Sequence, residues 1–207
     1  MRKFIYFFYL TLLSSMLFCG PSFGEEWLKV KQATDGDTIL LSDGRYIRYI
    51  GINAPEIDYD NKKAEPFGYK AKSLNKRLVL GKKVRLELDK EKHDKYGRLL
   101  AYVFTKEGIF ANKRLIGQGY AYFLFLNPNV KYGRMLLNSQ REAMSAKRGM
   151  WANWQEKEDM YLGNRRSKRF HHKNCPLGKR IGKSNRRIFS RKWDAFWAGF
   201  APSKRCL

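Results

Sequence analysis

Apolar and polar residues alternate through most of the first half of the chain. Stretches rich in β-branched and aromatic residues read WLKVKQAT, DTILLS and RYIRYIGI, and the pairs Asp35-Gly36 and Asp43-Gly44 separate them. Such alternation is typical of half-buried strands, and an Asp-Gly pair between two apolar runs is a strong hairpin signal. Strand-like residues return in VRLEL and RLLAYVF. The pattern predicts a chain that begins as a set of short strands.

Apolar residues recur at helical spacing in three segments. The first is FGYKAKSLNKRLVLG, which follows Pro66; the second runs from Ala111 to Gln118; the third runs from about Lys131 to Lys147. Each segment ends near a glycine, the residue that most often stops a helix. Crowded strands followed by longer helices fit a five-stranded Greek-key barrel with about three helices better than a doubly wound α/β sheet. The predicted fold class is therefore α+β, dominated by the barrel.

The charge is unevenly distributed. The formal net charge is +23, and residues 165–207 hold 14 Lys and Arg against the single acid Asp194. An excess this large implies a polyanionic partner, such as nucleic acid, an anionic membrane face or an acidic polysaccharide; the alternative is solubility alone, for which a net charge of about 2 to 8 suffices. We interpret residues 25–160 as the main domain and residues 165–207 as a separate basic unit.

The N-terminal residues are typical of an export signal. Arg2 and Lys3 precede an apolar run from Phe4 to Phe18, and small residues stand just before Glu25. This order predicts a signal peptide over residues 1–24 and a secreted or periplasmic protein. The alternative is an uncleaved membrane anchor, although the apolar run is shorter than the roughly 20 residues that a spanning helix needs.

Three short motifs carry charge at predicted turns. They are DGDT at residues 35–38, IRYIGINAPE at residues 47–56 and DKYGR at residues 94–98. Each motif alone is also explained by the residue preferences of a hairpin turn or by charged side chains on a solvent-exposed face. Together, and followed by GQGYA at residues 117–121 and GMW at residues 149–151, they resemble the thermonuclease family over about residues 27–154.

The resemblance implies an OB-fold barrel and calcium-dependent cleavage of phosphodiester bonds in DNA and RNA. It implies that Asp37 and the main-chain carbonyl of Ala54 bind the metal, that Glu56 activates or orients the attacking water, and that Arg48 and Arg98 hold the phosphate. These roles suit the reaction, because a hard cation and two guanidinium groups stabilise the negative charge that develops on the phosphoryl oxygens.

The chain departs from the family pattern at two positions. Asn53 occupies the place of a second aspartate ligand; its oxygen can bind calcium, but without a negative charge the affinity should be lower. Two alternatives follow, a working site with weaker metal affinity and an inactive nucleic-acid-binding relative. Phe125 stands where the family tends to have a tyrosine, and its ring can still stack on a base. Lys95 and Tyr96 of the third motif complete the predicted substrate contacts.

The basic C-terminal segment resembles a small His/Cys module that follows some bacterial members of the family. His171 and Cys175 match its first half, but Ser203 replaces a cysteine in the second half, which leaves Cys206 as the last candidate. After loss of Cys19 with the signal peptide, Cys175 and Cys206 form an even pair. A disulfide between them is the favoured interpretation, and a zinc (Zn²⁺) site is the alternative.

An aromatic stripe also marks this segment. Trp193, Phe196, Trp197 and Phe200 are spaced to share one face of a short helix. The stripe predicts a small core, and the surrounding basic residues predict contacts with a nucleic-acid backbone.

Overall fold

A computed structural model of the 207-residue chain describes residues 26–58 and 63–205. The strands of the first part of the chain are β1 (Leu28–Ala33), β2 (Thr38–Leu41), β3 (Tyr46–Tyr49), β4 (Ile52–Asn53), β5 (Lys83–Glu87), β6 (Leu99–Thr105) and β7 (Tyr122–Phe123). Five of them close into a barrel in the order β1-β2-β3-β6-β5. Strands β3 and β6 pair in parallel, and the other neighbours in the barrel pair antiparallel. The barrel confirms the predicted α+β class with a five-stranded OB-fold barrel.

The predicted turns and helices are present. Gly44 adopts a φ of +91° between β2 and β3, a conformation that favours glycine and closes the predicted hairpin. Three helices follow the predicted segments, each shorter than its segment: α1 (Gly68–Val79), α2 (Ala111–Gly117) and α3 (Gly133–Ser145). Outside the barrel, β4 pairs antiparallel with β7, so that Asn53 lies opposite Tyr122.

The C-terminal segment forms a four-stranded sheet from β8 (Tyr161–Asn164), β9 (Arg169–His172), β10 (Arg186–Phe189) and β11 (Ala201–Pro202). The strands lie in the order β10-β8-β9-β11. The other elements are α4 (Pro176–Lys179), α5 (Lys192–Trp197) and short 3-10 helices over Gly149–Trp151 and Lys183–Asn185. The sheet begins four residues before the predicted start of the basic unit.

The sheet packs against the main domain through a shared hydrophobic cluster. Ala143, Met144 and Trp151 contribute from the main domain, and Phe170 and Phe196 are among the buried residues of the C-terminal segment. The barrel encloses a separate cluster of its own. The shared cluster fixes the C-terminal sheet against α3.

The aromatic stripe is only partly as predicted. Helix α5 ends at Trp197, and Gly199, with a φ of +78°, turns the chain so that Phe200 is buried beyond the helix. Trp197 stays 40% exposed, with the Arg141 guanidinium over its ring. The prediction that all four aromatic residues share a helix face is wrong, because the glycine turn replaces the last helical turn.

Within the described ranges no helix is long and apolar enough to cross a membrane. The predicted signal peptide, residues 1–24, lies outside those ranges.

Candidate active site

One cavity brings together residues from all three charged motifs. Its volume is about 390 Å³, and it opens beside the start of β2, the end of β3 and the loop before β6. Residues that are far apart in sequence therefore face one space. The lining residues are Asp35, Asp37, Arg48, Asn53, Glu56, Tyr96, Arg98 and Lys204.

Asp37 is the buried acid of this cavity. The DGDT turn positions it, because the Asp35 carboxylate accepts a hydrogen bond of 2.8 Å from the Asp37 backbone N–H. Its Oδ2 accepts a hydrogen bond of 2.6 Å from the Ala54 N–H and lies 3.0 Å from the Arg48 Nη2. Burial raises the pKa of Asp37 to about 7; Arg48 opposes the rise, and the charges of Asp35 and Glu56 add to it. A bound cation would relieve this concentration of negative charge.

Arg48 is held rigidly at the end of β3. Its Nη1 donates to the carbonyl oxygens of Tyr49 at 2.7 Å and Ile52 at 3.0 Å, while its Nη2 contacts Asp37 and donates to Asn53 Oδ1 at 3.1 Å. A guanidinium group fixed at both Nη atoms is preorganised, so it needs little rearrangement to interact with an anion.

Asn53 uses its amide nitrogen as well as its oxygen. Its Nδ2 donates to the Ala54 carbonyl oxygen at 3.0 Å and to the Tyr122 hydroxyl oxygen at 3.0 Å. The neutral side chain thereby connects Arg48, the carbonyl predicted to bind metal and strand β7. Tyr122 was missed by the sequence reasoning, since only the pairing of β4 with β7 brings it to this position.

Glu56 forms an ion pair with Lys204 of the C-terminal segment. The loop that carries Glu56 is fixed by two further hydrogen bonds: its N–H donates to Glu65 Oε2 at 3.0 Å, and the Glu65 N–H donates to its carbonyl oxygen at 2.9 Å. Lys204 was also missed, because a separation of 148 residues leaves no local signal for the contact.

The DKYGR motif forms a tight turn that positions Arg98. Arg98 Nε and Nη2 both lie 2.8 Å from Asp94 Oδ2, whereas Nη1 has only a long contact of 3.4 Å with Thr38 Oγ1. Tyr96 is 71% exposed, with the Lys95 ammonium 4.8 Å from its ring centroid. The turn therefore presents the Tyr96 ring and the Arg98 guanidinium at the cavity, with Lys95 against that ring.

The oxygen donors at this place suit calcium. The Asp37 carboxylate and the Asn53 amide oxygen belong to residues that line the cavity, and both are hard ligands of the kind that calcium prefers. Ala54 is not among the lining residues, and its carbonyl oxygen, a third hard ligand, accepts from Asn53 Nδ2. In the described part of the chain, no three His, Cys, Asp or Glu side chains cluster tightly enough to hold a metal ion. A calcium ion would therefore need main-chain, amide, water or phosphate oxygens to complete its coordination.

A second cavity, of about 420 Å³, adjoins the first. The two share Arg48, Asn53, Tyr96, Arg98 and Lys204, and the second adds residues from β9 and from the segment after β11. Phe125 packs against the barrel core, while its neighbours Leu124 and Leu126 line this cavity. Lys95 and Tyr96 thus line the second cavity together with Arg48 and Arg98. Phe125, the third predicted substrate contact, is not among the described lining residues.

The C-terminal candidates lie apart from the cavities. Cys175 is disulfide-bonded, and Cys206 lies outside the described residues. His171 Nδ1 is 3.4 Å from the Cys175 sulfur, and burial lowers the pKa of His171. A disulfide sulfur is not the thiolate that zinc binds, so the structure does not favour the predicted alternative of a Zn²⁺ site.

The chain is similar in sequence to proteins that are described as nucleases. The sequence profile of a family described as "Staphylococcal nuclease homologue" matches residues 46–153. The "Thermonuclease" of Staphylococcus hyicus is 39% identical over 132 residues, which cover 62% of this chain and 78% of that protein. The "Thermonuclease" of Staphylococcus intermedius is 39% identical over 131 residues, covering 62% and 77%. "Endonuclease YncB" of Bacillus subtilis (strain 168) is 37% identical over 126 residues, covering 58% and 59%.

Proposed function

Since this chain belongs to the staphylococcal nuclease homologue family and is a nuclease, we propose that it is exported and hydrolyses phosphodiester bonds of DNA and RNA with the aid of calcium. The observation that carries the proposal is the single cavity in which Asp37, Glu56 and the two arginines Arg48 and Arg98 meet. Export is proposed from the N-terminal sequence, and N-terminal sequencing of the mature protein, which should begin at Glu25, tests it.

Calcium would be held by the Asp37 carboxylate, the Ala54 carbonyl and the Asn53 amide oxygen. When bound, it supplies positive charge that stabilises the negative charge developing on a phosphoryl oxygen. The surroundings of Asp37 support this assignment. Burial raises its pKa to about 7 against the opposing charge of Arg48, and Asp35 and Glu56 add to the rise, so a nearby cation would favour the ionised carboxylate.

The two arginines bind and orient the phosphate. Four oxygen partners hold both Nη atoms of Arg48, so its charge is fixed before substrate arrives and its Nε–H is the donor left for a phosphate oxygen. Arg98 keeps Nη1 nearly free, since its contact with Thr38 is long, and this atom can donate to a phosphate oxygen. Both charges act on oxygens that become more negative in the transition state, so they lower the activation barrier as well as strengthen substrate binding.

Glu56 orients the attacking water and accepts its proton. A carboxylate that is ion-paired with a lysine is a poor proton acceptor, so the ion pair between Lys204 and Glu56 has to open for the reaction. An incoming phosphate offers Lys204 an alternative partner in the same cavity.

Replacement of Glu56 tests the assignment. Glu56→Gln should lower cleavage of single-stranded DNA in calcium by about 10² to 10⁴, because proton transfer to a positioned base contributes this much. DNA binding in chelator should be unchanged or slightly tighter, since a negative charge is lost. Glu107→Gln, the same change at an exposed acid on the turn after β6, is the matched control and should cleave normally.

Persistent cleavage by Glu56→Gln would mean that the water is activated by another group. Retention of DNA by the unmodified protein with no product at any calcium concentration would instead support a nucleic-acid-binding module with a silent site.

A further inference from the structure

The C-terminal sheet forms one wall of the second cavity. Arg169 at the start of β9, Pro202 at the end of β11, and the following Ser203 and Lys204 face Arg48, Asn53 and the DKYGR turn across a space of about 420 Å³. This volume lies within the range of ligand pockets, which is about 300 to 1,000 Å³. A unit beyond the nuclease profile, which ends at residue 153, therefore contributes directly to the space beside the candidate catalytic residues.

Arg169 is a half-buried cation in this wall. Its side chain is half-buried, and within the described part of the chain it makes no ion pair or side-chain hydrogen bond. Burial lowers the pKa of its guanidinium group; Tyr122 opposes this shift, and the like charge of Arg48 adds to it. A half-buried cation with no anionic partner is costly, so the site favours an anion from outside the chain.

The rest of the cavity suits a nucleotide rather than a free anion. Leu100, Leu124 and Leu126 provide an apolar surface, and Lys95 provides a further cation. Apolar groups can contact a sugar or base while cations bind a phosphate, which is the division of labour in single-strand binding grooves.

The position of Arg169 separates it from the reacting phosphate. Arg169 lines the second cavity but not the first, which contains Asp37 and Glu56. Because the two cavities share Arg48, Asn53 and Arg98, a strand with its scissile phosphate in the first would place its next nucleotide in the second.

We propose that Arg169 binds the phosphate adjacent to the scissile one, and that the C-terminal sheet is a wall of the substrate groove. The inference rests on the proposed nuclease site and adds a subsite to it. The wall is held rigidly: Arg169 pairs with Ala201 between β9 and β11, and Gln140 of α3 donates to the Phe196 carbonyl oxygen at 2.6 Å.

Arg169→Gln and Arg187→Gln test the subsite as a matched pair. Both remove one arginine from the same sheet, but Arg187 is an exposed residue of β10, the strand at the edge opposite β11. Binding of a labelled oligothymidylate of eight nucleotides is measured in chelator at several salt concentrations, and cleavage is measured in calcium. Arg169→Lys is included as the variant that keeps the charge, and tryptophan fluorescence verifies folding of all three.

Arg169→Gln should weaken oligothymidylate binding about fivefold to tenfold and reduce the salt slope by about one, as expected for loss of one phosphate contact. KM should rise by a similar factor with kcat nearly unchanged, and Arg169→Lys should recover part of the loss. Arg187→Gln should change binding by less than about twofold. Cleavage of a dinucleoside monophosphate, which has only one phosphodiester, should be insensitive to Arg169→Gln.

Equal effects of the two glutamine variants would overturn the proposal, because they would reduce Arg169 to general surface charge. An equal loss on the dinucleoside monophosphate would also overturn it, since the contact would then be to the scissile phosphate. If the unmodified protein cleaved nothing in calcium, the nuclease proposal would fail, while the binding comparison in chelator would still decide the role of Arg169.

Discussion

Asn53 makes three hydrogen bonds that an aspartate could not all make. Its oxygen accepts from Arg48, and its nitrogen donates to the Ala54 carbonyl and to Tyr122. A carboxylate can accept from Arg48 and from the Tyr122 O–H, but it has no donor for the carbonyl. The asparagine therefore orders the loop without a metal ion, but it adds no negative charge beside the proposed metal ligands.

Asn53→Asp should lower the calcium concentration that cleavage requires. The added charge is worth on the order of 1 to 3 kcal/mol after desolvation and repulsion from Asp37. The calcium concentration for half-maximal cleavage should fall about tenfold, since 1.4 kcal/mol is a factor of ten, while the rate at saturating calcium should change little. Without calcium, the lost donor and the like charge should lower the melting temperature.

Asn164→Asp adds the same charge in β8, away from both cavities, and serves as the control. An unchanged calcium requirement in Asn53→Asp would mean that residue 53 does not interact with the metal.

At the scale of elements, local signals predicted the barrel and its helices well. Asp-Gly turns, alternating strands and terminal glycines are encoded in adjacent residues, so α1 and the β2–β3 hairpin lie where the pattern predicts them. The end of α5 was mispredicted, because helical spacing of aromatic residues does not reveal the turn at Gly199.

The candidate site was predictable only where motifs carry it. Asp37, Arg48 and Arg98 belong to short motifs, and the structure brings them into one cavity. Tyr122, Arg169 and Lys204 reach the same region through tertiary packing of β7 and the C-terminal sheet. Such long-range contacts leave no periodic or local signal in a single sequence.

Gln140 of α3 should be the critical link between the main domain and the C-terminal sheet. It is fully buried, accepts from the Phe123 N–H at 2.6 Å and donates to the Phe196 carbonyl oxygen at 2.6 Å. Gln140→Met would leave both backbone groups unpaired and should cost about 3 kcal/mol in the free energy of unfolding by urea.

Its neighbour Arg141 offers a control at the same interface. Arg141 Nε donates to the Trp197 carbonyl oxygen at 2.9 Å, but this bond is exposed. Arg141→Met should cost less than about 1 kcal/mol, because water replaces the lost donor. Equal losses in the two variants would show that Gln140 does not carry the docking of the sheet.

The whole molecule combines the proposed calcium site with a strongly basic chain. A net charge of +23 attracts nucleic acid but repels calcium. Lys204 is the cation for which this repulsion matters most, because it pairs with Glu56 inside the cavity. The C-terminal unit thus lines the second cavity with Arg169 and also places the cation of Lys204 beside the proposed metal ligands.

Lys204→Met should lower the calcium concentration for half-maximal cleavage. The effect should be modest, roughly twofold to fivefold, because the Lys204 side chain is 63% exposed and solvent screens its charge. Calcium titrations of cleavage measure it, and Lys183→Met, at an exposed position of the same unit outside both cavities, is the control. An unchanged requirement in Lys204→Met would argue against competition between Lys204 and calcium.

Calcium-dependent digestion tests the central claim most directly. The protein without residues 1–24 is incubated with single-stranded DNA in calcium, then with excess chelator, and then after calcium is restored. We predict cleavage in calcium, its loss in chelator and its return, because Asp37, Ala54 and Asn53 have no positive charge of their own and only the bound cation would stabilise the phosphoryl oxygens from that side. Equal cleavage with calcium and with chelator would contradict the account.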